Sequence, residues 1–130
     1  MTQKEKELLL KDLCARLSYE LKVQYKEKTY DLLGLDKGRI FVNIARIGEW
    51  LPTVYIFDIK PYLRPVLSMT EDEMFDFHEN GGTLTHCVKY DIDLSSLTVS
   101  AIDWFNAHHF DYRGLIEKGL ALEAPVDMYK

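Results

Sequence analysis

The sequence predicts an α+β fold: a small antiparallel meander of four to five strands, curled toward an SH3-like barrel, with an N-terminal helix and two to three C-terminal helices. Three observations predict it. Leu9, Leu10, Leu13 and Leu17 recur at helical spacing near the start of the chain. From Tyr19 the apolar period falls to two. Beyond Pro65 that alternation gives way to helix-capping signals.

The elements follow in order. Thr2 and Glu5 have the spacing of a capping box, which places a helix over 3–15 with a charged outer face, lying on the surface as a lid. Tyr19, Leu21, Val23 and Tyr25 alternate with Glu20, Lys22, Gln24 and Lys26, the pattern of a half-buried strand that turns at Glu27-Lys28. A second strand covers 29–33, with turn chemistry at Asp36-Lys37-Gly38. A third covers 39–46, rich in β-branched residues, and Gly48 and Pro52 bracket the next turn. A fourth covers 53–59. Pro61 and Pro65 then end the sheet, since proline cannot donate to a central ladder.

Thr70-Glu71-Asp72-Glu73 is a second capping box, opening a helix over 71–79 that stops at Asn80-Gly81-Gly82. Cys87–Ile92 has the look of a fifth strand. Ser95 or Ser96 caps a helix over 97–108, with Leu97, Ala101, Trp104, Phe105 and His108 on one face. Asp111 caps a last short helix that ends before Gly119. The whole reads as a single domain over 1–130, strand-rich over 1–67 and mainly helical over 68–130.

With 47% hydrophobic and 28% charged residues, the composition is that of a folded globular chain and excludes wholesale disorder. The net charge of −5 conceals an asymmetry: residues 1–67 carry +3 and residues 68–130 carry −8. An acidic chain repels phosphate at long range, which argues against a general nucleic-acid binder. Two widely spaced cysteines, Cys14 and Cys87, and a charged N-terminus without an apolar stretch predict reduced thiols and a cytoplasmic location. The longest apolar run, 54–59, is broken by Asp58 and falls far short of the ~20 residues that span a bilayer, so no membrane association is expected.

Lys60-Pro-Tyr-Leu-Arg-Pro65, the Ser68-Met-Thr-Glu-Asp-Glu73 that follows, and the tail from Trp104 to Tyr129 resemble small uncharacterised proteins encoded by gut bacteria and by their prophages or mobile elements. The resemblance is firmest over the C-terminal half. It implies a phage-type accessory or interaction protein. It carries no reaction, ligand or catalytic residue over to this chain.

Several residue sets hold chemistry in principle. His108, His109 and Asp111 are metal-ligand types within four positions, but neighbours on a helix diverge by about 100°, and helix capping and packing account for them better. His86 next to Cys87, with His78 and Glu79 upstream, is poorly placed for a thiol nucleophile, because strand neighbours face opposite ways. Glu71, Asp72, Glu73 and Asp76 crowd a helix N-terminus, where negative charge is favourable in solvent. Gly81-Gly82 lacks the lysine of a phosphate loop, and neither a nucleophile elbow nor a zinc-protease motif occurs.

The remaining set is aromatic and basic: Tyr19, Tyr25, Tyr30, Phe41, Trp50 and Tyr55 with Lys22, Lys26, Lys28, Arg39 and Arg46. Within it, Trp50 with Tyr55 or Arg46 is the expected binding surface, since tryptophan and arginine often anchor interfaces. The competing expectation, ranked slightly ahead, folds Trp50 back as a barrel plug. The leading functional reading is a non-enzymatic protein-interaction module without a cofactor, its partner a protein. The alternative is a nucleic-acid adaptor working through the basic strand region, and a third is a small metal-dependent hydrolase around the histidines.

Overall fold

The computed structural model describes residues 1–36, 41–80 and 98–129. The expected strand at 87–92, the His86–Cys87 pair, the glycines at 81 and 82, the caps at Ser95 and Ser96, and Arg39 lie outside the described residues. Helix α1 spans Gln3–Arg16 and starts on the expected box, with the Thr2 hydroxyl accepting from Glu5 N and the Glu5 carboxylate accepting from Thr2 N. Strands follow at β1 (Lys22–Tyr25), β2 (Lys28–Leu35), β3 (Phe41–Arg46), β4 (Glu49–Tyr55) and β5 (Lys60–Leu63). Then come α2 (Glu71–Glu79), α3 (Val99–Ala107) and the two-residue β6 (Leu122–Glu123).

The sheet has six strands in the order β4-β3-β2-β1-β5-β6. The meander over β1 to β4 is antiparallel, as expected, with two-residue turns at Lys26-Glu27 and Ile47-Gly48. The first turn places Lys26 and Glu27 at φ 48 and 66, the left-handed pair that matches strand twist in a tight hairpin. The sheet does not close into an SH3-like barrel: β4 and β6 are its two ends. Nor is it wholly antiparallel, because β6 joins β5 in parallel at Tyr62↔Leu122 and Leu63↔Glu123.

Two strand boundaries differ from expectation for the same reason, proline at a tolerant position. Pro52 lies inside β4, beside a bulge between Val42/Ile44 and their partners. The fourth strand therefore begins at Glu49 and ends at Tyr55, and Ile56–Asp58 is a 3-10 turn. Pro61 does not end the sheet but pairs with Val23 on β1. The β5–β6 ladder starts only at Tyr62, so no strand on that side demands the missing N–H of Pro61.

Two hydrophobic clusters result. In one, Leu9 and Leu13 of α1 cover the sheet face formed by Val23, Leu32, Val42, Ile44 and Val54, with Leu115 and Leu120 returning from the tail. In the other, α2 and α3 pack through Phe77, Ala101, Trp104 and Phe105 against Met69, Phe110 and Tyr112. Thr98 caps α3 by accepting from Ala101 N. The expected helix after Asp111 is instead a run of turns, in which the Asp111 carboxylate accepts from Leu115 N and Ile116 N at 2.8 and 2.9 Å.

A buried polar network joins the clusters. Arg16 donates to Asp12 at 2.9 and 3.2 Å and to the Phe110 carbonyl at 2.6 Å, with both side chains fully buried. Arg113 lies 3.3 Å from the same carboxylate and donates to Tyr112 Oη, which donates to Asn106. So α1 covers the sheet with its charged outer face in solvent, and the buried Asp12–Arg16 pair on its inner face is the seam between sheet and helices. Burial pushes the Asp12 pKa up, against the pull of Arg16.

Candidate binding surface

The bulge in β4 sets which side chains face outward. Val54 and Leu51 turn toward the core with Val42 and Ile44, while Trp50 stands opposite Ala45 and Tyr55 opposite Phe41 on the outer face. Trp50 is 62% exposed, and its indole N–H donates to Asn43 Oδ1 at 2.5 Å. It is therefore a strand residue rather than a turn residue, and it is not a plug. Tyr55 is half-exposed and packs edge-on against Phe41 and Phe57. Leu33, extruded at the β2 bulge, and Ile47, at the turn, add exposed apolar surface.

Arg46 does not join them. It follows Val42 and Ile44 in register onto the inner face, where its guanidinium lies 5.8 Å from the centre of the buried Tyr30 ring. The Tyr30 hydroxyl donates to the Glu49 carboxylate, and that bond to an anion raises the Tyr30 pKa. Beside this group is a cleft of about 360 Å³ between β4 and the β1–β2 hairpin, lined by Tyr25, Lys26, Lys28, Tyr30, Leu51 and Val54 among others. Sequence reasoning named most of these residues but could not see that they flank one strand from both sides.

His108, His109 and Asp111 do not converge. His108 stacks on Trp104 with ring centres 4.0 Å apart and places Nδ1 2.9 Å from the Trp104 carbonyl. His109, at φ 63, stacks on Tyr129 at 3.8 Å. Both Asp111 oxygens are engaged in the turn described above. Among the described residues no group of three or more His, Cys, Asp or Glu is placed to hold a metal ion.

A second, more polar cleft of about 640 Å³ lies where the tail crosses the sheet, bordered by Lys22, Asp31, Arg64, Glu73, His109 and Tyr129. Two ion pairs border it. Lys22 pairs with Asp31 at 2.5 Å, and Arg64 grips Glu73 through two bonds of 2.7 Å. Burial raises the Glu73 pKa, but Arg64 and Thr70 outweigh it and hold the carboxyl below its usual value. Burial and the surrounding cations push His109 down to about 4, so it is neutral at physiological pH. Of the acidic cluster on α2, Glu71 and Asp72 are exposed, Glu73 holds Arg64, and Asp76 accepts the Trp104 indole N–H at 2.7 Å. Cys14 is a half-buried free thiol.

Comparison with protein-family models, with curated proteins and with solved structures finds no match to this chain. No helix among the described residues is long and apolar enough to cross a membrane.

Proposed function

We propose that the chain is a non-enzymatic protein-interaction module of the cytoplasm, of the accessory kind its resemblance to phage and mobile-element proteins implies, and that β4 carries its contact surface. One observation supports this above the others. Trp50 is 62% exposed on an outer strand, held in place by Asn43, where no core requires it. A large ring presented in a fixed position loses little freedom on binding, which is what an interface anchor needs. Tyr55, on the same outer face of β4, adds a second exposed aromatic ring. The test is affinity capture from host lysate with the wild-type chain and with Trp50→Ala, each with and without nuclease. The reading expects a protein partner that survives nuclease and is lost with Trp50→Ala. Capture that nuclease abolishes, and that falls steeply with salt, would transfer the function to the nucleic-acid adaptor.

A further inference from the structure

Resting on the protein-binding reading above, we infer that β4 accepts an extended, acidic segment of its partner as an added strand. β4 ends the strand order, and among the described residues β3 is its only ladder partner. An edge strand presents backbone N–H and C=O groups to any chain that can lie alongside it. Pro52 removes one donor, which confines pairing to the stretches on either side of the bulge.

The two faces beside that edge differ, and the difference specifies the guest. In an added strand, successive side chains point to opposite faces. One set meets the outer face at Trp50 and Tyr55, which is aromatic. The other set enters the cleft between β4 and the β1–β2 hairpin, whose apolar walls are Tyr25, Leu51 and Val54. Lys26 and Lys28 border that cleft, and Arg46 stands over the Tyr30 ring that lines it. Neither lysine is ion-paired among the described residues, while Arg46 stands opposite Glu49 in register. Glu49, the acidic residue in the cleft wall, accepts the Tyr30 hydroxyl. Unmatched cations beside an apolar slot favour a segment that combines apolar and acidic side chains.

The probe is an immobilised array of octapeptides in which Phe or Val alternates with Glu. One control array carries Lys for Glu, and a second carries N-methyl groups on alternate amides. The full chain should bind the acidic array about tenfold or more tighter than the lysine array, and should not bind the N-methylated one. Reversing the hairpin charges with Lys26→Glu and Lys28→Glu should abolish or invert the preference for Glu. Equal binding to the N-methylated array, or no binding to the acidic one, overturns strand addition. If lysate capture nevertheless depends on Trp50, protein binding stands and this mode of it falls; if that capture also fails, both fall. A concentration-dependent dimer that Trp50→Ala dissolves would overturn the acidic guest in favour of a second copy of this chain.

Discussion

Trp50 and Trp104 are the same residue type put to opposite uses. Trp104 is 6% exposed, packed against Phe77, Phe105 and Phe110, with its indole N–H on Asp76. Its burial was legible because Ala101, Trp104 and Phe105 fall on one helical stripe. Trp104→Ala should cost about 3–5 kcal/mol in a denaturant titration. Trp50→Ala should stay within about 0.5 kcal/mol of wild type in the same experiment, because an exposed ring leaves no cavity. The exposure of Trp50 was not legible, since it depends on a bulge that decides which face residues 50 and 55 share. His109 gives the residue scale a pH signature. Its folded pKa of about 4 lies below the ordinary 6.5, so the unfolded chain binds the proton first as pH falls. Stability is full above pH 6.5 and declines, by an amount on the order of 2 kcal/mol, down to pH 4. Thermal melts across that range should show the slope. His109→Asn, which tolerates the left-handed backbone, should flatten it, and an unchanged slope would assign the effect elsewhere.

Among the elements, α1 shows what local pattern reveals and what it omits. The capping box and the leucine spacing fixed the helix itself. Asp12 and Arg16, an i,i+4 pair, share the buried stripe with Leu9 and Leu13, and their remaining partners come from Phe110 and Arg113. No window of sequence contains a contact spanning 94 positions. Removing one partner leaves a buried charge uncompensated, so Asp12→Ala should lose about 3–5 kcal/mol. A loss below about 1 kcal/mol in chemical denaturation would show that the seam is hydrated. The strands tell a similar story. Alternation located β1 to β3 to within a few residues, but a rule against proline in sheets displaced β4 and hid β5. Both prolines sit where one side of the strand makes no ladder demand. At the second capping box, Thr70→Ala should cost about 1 kcal/mol, measured by the same titration.

For the whole molecule, the charge split at residue 67 suggested two differently charged faces or subdomains within one domain. The structure interleaves them instead: β6 joins β5, Tyr129 donates to the Tyr62 carbonyl, and the Phe110 carbonyl accepts from α1. The α+β class, the capping of α1 and α2 and the meander over β1 to β4 could be read from periodicity and capping signals, whereas β5, β6 and the turns after Asp111 could not. The open sheet could not, because closure depends on where two distant ends meet. That opening is what leaves β4 an edge with a cleft on one side and Trp50 on the other. If β4 carries the contact surface, hydrogen–deuterium exchange of the chain with its captured partner will report it on that strand. Complex formation should slow exchange over 49–55, with smaller changes at 25–30, and leave 107–129 unaffected. Slowed exchange confined to 107–129, with 49–55 unchanged, would place the partner on the polar cleft beside His109 and contradict it.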